Sequence, residues 1–114
     1  MAVSILKQGD YLIASVQSAL TDTEVIELRD ALLAQVAKHR SRGVIVDVAA
    51  LDIIDSFAAR SLTTVARTNR LRGAKTVIVG IQPEVAVAMS QFGLRLDSAH
   101  IALDLEAGIQ LLTA

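Results

Sequence analysis

Two unbroken runs of β-branched residues constrain the fold of this chain more than any other feature. The runs are GVIVDV at residues 43–48 and TVIVGI at residues 76–81. Such runs are typical of strands that are covered on both faces. Residues 56–72, which separate them, repeat apolar side chains at steps of three and four, as a helix does. Strand, helix and strand at this length predict a right-handed βαβ crossover whose two strands are parallel.

The segment before this unit predicts two strands and a long helix. The strands lie around Ile5 and Leu6 and at residues 11–16, with a Gly-Asp turn between them. Thr21 and Glu24 have the spacing of a capping box, which predicts the start of the helix. Several basic residues lie near the carboxyl end of the helix, where the helix dipole favours cations. Gly43 is expected to end the helix in the left-handed conformation.

The segment after the unit predicts a third helix, a short strand and a last helix. Pro83 is tolerated in the first turn of a helix over residues 84–92, which is expected to turn Val85, Met89 and Phe92 inward. A strand at residues 100–103 and a helix at residues 104–112 follow. The prediction is an α/β fold in one domain, residues 1–114, with a mixed sheet of about five strands and about four helices.

Composition excludes several classes of protein. The net charge of −1 gives no field that would gather nucleic acid. A spanning helix needs about 20 consecutive apolar residues, whereas charges break the apolar runs here. The first ten residues hold no apolar stretch of the length that a signal peptide needs, so none is expected in them. We therefore expect a cytoplasmic protein that contacts no membrane. The chain has no cysteine, which excludes disulfides, thiolate chemistry and cysteine zinc sites.

Motifs for common enzymatic chemistry are missing from the sequence. It has no dinucleotide-binding glycine pattern, no P-loop and no nucleophile elbow. His39 and His100 are its two histidines, and they fall in unrelated elements. We therefore expect a protein without enzymatic activity, without a cofactor and without a bound metal.

The informative segment is residues 47–57, where a buried strand ends and a helix begins. Asp47, Asp52 and Asp55 lie close in sequence around one hydroxyl, that of Ser56. These residue types are common helix caps, each contributing about 1 kcal/mol, and this ordinary interpretation accounts for the pattern. A hydroxyl at a helix start is also reachable by another protein's active site, and phosphorylation adds about −1.5 to −2 charges there.

Two segments of the sequence carry a family resemblance. DIIDSF at residues 52–57 and GIQPEVAV at residues 80–87 are similar to signature segments of the STAS domain family. The resemblance extends over the whole chain. Within the family, the chain most resembles the RsbS-type stressosome proteins, which are related to anti-sigma factor antagonists. It implies a non-enzymatic scaffold that sequesters an RsbT-type serine/threonine kinase and releases it when Ser56 is phosphorylated, thereby controlling a bacterial stress response.

The resemblance also implies partners and contact residues. RsbR-type STAS paralogues would join the chain in a large hetero-assembly, and a homo-oligomer is expected as well. Asp52, Asp55, Phe57 and Arg60 surround Ser56 in sequence and are the candidate partner-binding residues. Further along the same helix, Arg67 and Arg70 are expected to be solvated, and Thr63 and Thr64 are expected to be surface hydroxyls.

Three alternatives stay open at the level of sequence. A stand-alone anti-sigma factor antagonist would keep the serine switch but not the large assembly. A phospho-aspartate receiver would be phosphorylated on Asp47. Such a site needs an acidic pair after the first strand to bind Mg²⁺ and a lysine after a later strand. Here Asp10 is a single acidic residue, and Lys75 precedes its strand. A small-ligand binding module would bind its ligand at the carboxyl ends of the strands, but the sequence does not indicate which ligand.

Overall fold

Residues 3–113 of the computed structural model are described, and over them the fold alternates strands and helices in the predicted order. The elements are β1 (Val3–Gln8), β2 (Tyr11–Val16), α1 (Asp22–His39), β3 (Gly43–Asp47), α2 (Ser56–Leu71), β4 (Lys75–Val79), α3 (Pro83–Gln91), β5 (His100–Ala102) and α4 (Leu105–Thr113). Within this range, each helix is too short or too polar to cross a membrane.

The strands form one mixed sheet in the order β1-β2-β3-β4-β5. β1 and β2 make an antiparallel hairpin, whereas every later neighbour is parallel. Val44 of β3 lies opposite Thr76 of β4, so the predicted βαβ crossover is confirmed. The carboxyl ends of β2, β3, β4 and β5 therefore meet at one edge of the domain, which is where sites of open α/β sheets form.

Helices cover the two faces of the sheet unequally. The larger core cluster joins one face to α1, α2 and α3, and includes Leu32, Val65 and Met89. The smaller cluster joins Ile45, Val77 and Val79 of the other face to Leu112 of α4. We call this second side, packed only by α4 among the described helices, the α4 face.

The start of α1 is as predicted, but its end differs. Thr21 and Glu24 form the reciprocal capping box. The left-handed residue at the other end is Arg40, with φ 50°, and not Gly43, which already begins β3. Gly43 is needed for a different reason: a Cβ there would lie 2.7 Å from a methyl carbon of Leu112, so glycine allows α4 to pack on the sheet.

Two further predictions about burial were wrong. Phe92 is 77% exposed, because α3 ends at Gln91 and Gly93 turns the chain at φ 67°, so that Leu94 packs against the core instead. Thr63 is buried rather than on the surface, since the segment after α3 covers it. Its hydroxyl donates to the carbonyl oxygen of Arg95 at 3.4 Å.

Candidate functional site

Two apolar side chains anchor the loop from β3 to α2 in the core, and the residues between them are exposed. Leu51 and Ile54 are buried, whereas Asp52 and Ile53 point into solvent. Asp47 stabilises the start of the loop, because its carboxylate accepts a 2.9 Å hydrogen bond from the amide of Ala49, as the ordinary capping interpretation predicts. The loop therefore has a defined shape although most of its residues are exposed.

Asp55 and Ser56 have different roles at the start of α2. Asp55 is the N-cap, and its carboxylate accepts a 2.8 Å hydrogen bond from the amide of Ala58. Ser56 is the first helical residue and is exposed. Because Asp55 supplies the cap, the Ser56 hydroxyl is not needed for it, and within residues 3–113 that hydroxyl has no hydrogen-bond partner.

The backbone around Ser56 suits a negative charge. The first four amides of a helix lack intrahelical partners, and Asp55 satisfies only that of Ala58 with its side chain. The amides of Ser56 and Phe57 therefore face outward at the positive end of the helix dipole. A phosphate on Ser56 would be tolerated by this backbone, while Asp52 and Asp55 would add like charge beside it.

The four candidate partner-binding residues near Ser56 differ in their exposure. Asp52, Asp55 and Arg60 are exposed, and Phe57 is half-buried. We call these four residues, together with Ser56 and the loop residue Ile53, the Ser56 surface; it spans the end of the loop and the first turns of α2. Along the same helix Arg67 and Arg70 are exposed as expected, and Arg67 lies 3.8 Å from Asp97.

Ile53 belongs to the Ser56 surface but was not among the predicted residues. Its side chain is 65% exposed, three residues before the serine, whereas the adjacent Ile54 is buried. Two consecutive isoleucines in a loop carry no periodicity, so the sequence could not say which of them faces solvent. A single exposed apolar side chain is common on protein surfaces and does not by itself mark a site.

The loop after β4 contacts the start of the β3–α2 loop at Ala49. Gly80 follows β4 with φ 80°, and a Cβ there would lie 2.8 Å from the Cβ of Ala49. The side-chain amide of Gln82 donates a 2.7 Å hydrogen bond to the carbonyl oxygen of Ala49. Both residues lie in the GIQPEVAV segment at residues 80–87, and the sequence alone predicts neither contact.

The acidic residues near Ser56 do not assemble a metal site. Among residues 3–113, groups of three or more histidine, aspartate or glutamate side chains placed to hold a metal ion are absent. The carboxylates of Asp47 and Asp55 instead accept backbone hydrogen bonds. Both carboxylates therefore stabilise the backbone of the loop and of the start of α2.

Comparison with known proteins gives a family match over nearly the whole chain. The model of the STAS domain family matches residues 2–108. The RsbT co-antagonist protein RsbRA of Bacillus subtilis (strain 168) is 33% identical over 90 residues, which are 78% of this chain and 33% of RsbRA. The chain thus spans about a third of the length of that relative.

Solved structures agree with this match. A serine-to-glutamate variant of RsbS from Moorella thermoacetica is 32% identical, with a TM-score of 0.84 over 99% of this chain and 96% of that chain. A chain from a structure of the stressosome, described as a signal integration and transduction hub, is also 32% identical, with a TM-score of 0.76 over 96% of each chain. The anti-sigma factor antagonist SpoIIAA, in its unphosphorylated form, shares the fold at 15% identity, with a TM-score of 0.79 over 99% of this chain and 98% of that chain.

Proposed function

The chain belongs to the STAS domain family, and we propose that it is an RsbS-type stressosome component that holds an RsbT-type kinase until Ser56 is phosphorylated. The observation that carries this proposal is the exposed hydroxyl of Ser56 as the first residue of α2, on a helix that Asp55 caps independently. Similarity to a stressosome chain and to an RsbS supports a regulatory STAS domain.

Release of the kinase follows from electrostatics at the Ser56 surface. Phosphorylation adds about −1.5 to −2 charges beside Asp52 and Asp55, which are already negative. A partner that packs an apolar or acidic group against Ile53 and Phe57 would then lose affinity through repulsion and desolvation. The helix itself remains, since the new charge sits at the positive end of its dipole. The switch therefore changes which partners dock and leaves the fold in place.

The proposed partners come from the names of the relatives. RsbRA is named a co-antagonist of RsbT, and one similar structure is that of a stressosome. By analogy, this chain would bind an RsbT-type serine/threonine kinase and assemble with RsbR-type paralogues in the cytoplasm of a bacterium. It would catalyse no reaction itself and control a stress response through the kinase it releases.

Phosphate mapping tests the assignment of Ser56. The protein is incubated with an RsbT-type kinase and ATP, and the modified residue is located by mass spectrometry. We expect one phosphate on Ser56 and no labelling of Ser56→Ala. Ser90→Ala is the matched control, because Ser90 is also exposed on a helix but lies near the end of α3. Equal labelling of wild type and Ser56→Ala would refute the assignment.

A further inference from the structure

The end of the sheet opposite the Ser56 surface is strongly basic. Two segments meet there: residues 38–43, where α1 ends and β3 begins, and residues 70–75, where α2 ends and β4 begins. The amide of Lys75 donates a 3.1 Å hydrogen bond to the carbonyl oxygen of Arg42, which joins the two segments. They hold six of the eleven lysines and arginines and no carboxylate. The six cations, all exposed, are Lys38, Arg40, Arg42, Arg70, Arg72 and Lys75.

The helix dipoles offset only part of this charge. α1 and α2 both end here, and each helix end carries roughly half a negative charge, so the two together offset about one cation. Both ion pairs among residues 3–113 lie elsewhere, at Arg29 and at Arg67. Asp10 lies beside Arg42, but the contact is a 2.8 Å backbone hydrogen bond. The folded chain therefore leaves an excess of positive charge at this end, although its net charge is −1.

A hollow of about 380 Å³ lies between the ends of α1 and α2, and we call it the basic hollow. It is lined by Val36, Arg40, Ser41 and Arg72. Its volume falls within the range of about 300–1,000 Å³ that is usual for small-molecule sites. Ser41 is only 7% exposed, and within residues 3–113 its hydroxyl forms no hydrogen bond. The basic hollow therefore combines two arginines with a buried hydroxyl that is free to donate.

Arg40 occupies a backbone position where another residue type is usual. It caps the carboxyl end of α1 in the left-handed conformation, with φ 50° and ψ 44°. Glycine is the common residue at such a cap, because it has no Cβ to collide with the backbone, and asparagine is the next choice. Lys38 already complements the dipole in the last turn of α1. Helix capping therefore does not explain the arginine, whereas a role in the basic hollow does.

We propose that the basic hollow binds a phosphate group, carried either by inorganic phosphate or by a small phosphomonoester. The planar guanidinium groups of Arg40 and Arg72 match the geometry of phosphate oxygens, and each can donate two parallel hydrogen bonds. The Ser41 hydroxyl supplies a further donor from the wall of the hollow. Bound phosphate would thereby satisfy the one polar side chain of the lining that is buried without a partner.

The arrangement favours a tetrahedral oxyanion with two charges over simpler anions. Its oxygens point in different directions, so it can accept from both guanidinium groups and from the hydroxyl at once, whereas chloride offers a single centre. Arg42, Arg70 and Lys75 lie in the same two segments and favour the more highly charged ligand. The proposal needs neither a kinase nor phosphorylation of Ser56, so it stands or fails separately from the switch.

Titration calorimetry with inorganic phosphate tests the site, with sodium chloride used to hold the ionic strength constant. Wild type is expected to bind one phosphate per chain with a saturable isotherm. Arg72→Gln should bind phosphate at least about tenfold more weakly, since a hydrogen-bonded charge is lost. Ser41→Ala should bind it several-fold more weakly, because it removes only one neutral donor. Circular dichroism checks that each variant is folded.

Arg40→Gly separates binding from folding. It removes the guanidinium group but places glycine at a left-handed position, so its thermal unfolding should occur at a temperature no lower than that of wild type. Its affinity for phosphate should nevertheless fall at least about tenfold. Arg67→Gln is the matched control, because it removes one exposed arginine of α2 that lies outside the basic hollow. This control should bind phosphate as wild type does.

Glycerol 3-phosphate distinguishes the two sources of the phosphate group. Tighter binding than that of inorganic phosphate would identify a phosphomonoester as the ligand, and equal or weaker binding would identify the free ion. The absence of saturable binding of both compounds would overturn the proposal. Equal affinities of Arg67→Gln and Arg72→Gln would overturn it as well, since phosphate would then respond to the overall charge and not to the basic hollow.

Discussion

The side-chain amide of Gln82 donates a 2.7 Å hydrogen bond to the carbonyl oxygen of Ala49, which joins the loops that follow two neighbouring strands. Gly80 packs against the same residue, closely enough that a side chain there would collide with it. The loop that leads to Ser56 is therefore positioned by the next loop of the sheet as well as by its own anchors. We therefore expect changes at Gly80 or Gln82 to alter the conformation of the loop that leads to Ser56.

Gly80→Ala should destabilise the domain and disturb the Ser56 surface. The new Cβ would lie 2.8 Å from Ala49 at φ 80°, and strain of this kind costs about 1–3 kcal/mol. Gly93→Ala has a similar φ of 67° but no atom within 4 Å of its Cβ, so it carries only the backbone term. Urea denaturation should show a larger loss for Gly80→Ala. Equal losses would mean that the packing against Ala49 contributes nothing.

Asp55→Ala should remove the cap of α2 and cost about 1 kcal/mol of unfolding free energy. Asp55→Asn keeps an oxygen acceptor for the amide of Ala58 and should retain most of the stability. Asp52→Ala is the control, because Asp52 is exposed in the same loop, and a surface change of this kind stays within about 0.5 kcal/mol. Thermal unfolding measures these three variants and Ser56→Ala. A Ser56→Ala loss as large as that of Asp55→Ala would contradict the division of roles at the helix start.

Ser56→Asp should leave the fold nearly unchanged. The carboxylate at the first helical position gains about 0.3–1 kcal/mol from the dipole, and repulsion from Asp52 and Asp55 offsets part of this gain. Ser90→Asp is the contrasting variant, since Ser90 lies near the carboxyl end of α3, where the same charge is unfavourable. Chemical denaturation should rank Ser90→Asp below Ser56→Asp. The reverse order would show that added charge unfolds α2.

Thr76→Val should reveal the cost of a buried polar group. Asn69 is fully buried in α2, and its side-chain amide donates to the hydroxyl of Thr76 at 3.0 Å. Within residues 3–113, the side-chain oxygen of Asn69, Oδ1, has no hydrogen-bond partner. Loss of the remaining bond should cost about 1–3 kcal/mol, whereas Thr76→Ser keeps the hydroxyl. Equal stability of the two variants by urea denaturation would show that the bond contributes little.

Particle size separates the two regulatory functions that share the serine switch. A stressosome component mixed with an RsbR-type paralogue should form particles far larger than a dimer, and light scattering measures their mass directly. A stand-alone antagonist of an anti-sigma factor would remain small under the same conditions. Small particles with every paralogue tested would favour that alternative.

Local patterns predicted most of the architecture because several signals agreed in each element. The β-branched runs placed β3 and β4, and the capping box at Thr21 placed the start of α1. Prediction failed where tertiary packing decides between residues of one type. Phe92 has the spacing of a core residue, but the chain turns at Gly93, and Leu94 packs against the core instead.

The candidate site was predictable in part. The position of Ser56 follows from a strand that ends and a helix that begins, and the structure places it there in an exposed position. The contributions of Gly80 and Gln82 arise from contacts with Ala49, more than thirty residues away in sequence. No local pattern encodes such a contact, and the exposure of Ile53 depends on which of two adjacent isoleucines the core accepts.

The most direct test of the switch is the affinity of an RsbT-type kinase for this chain before and after stoichiometric phosphorylation of Ser56, measured by titration calorimetry. Tight binding of the unmodified chain and binding at least about tenfold weaker, or about 1.4 kcal/mol, after phosphorylation is the predicted result. Ser90→Ala, phosphorylated in the same way, should behave as wild type does. Equal affinities of the two forms would contradict the account.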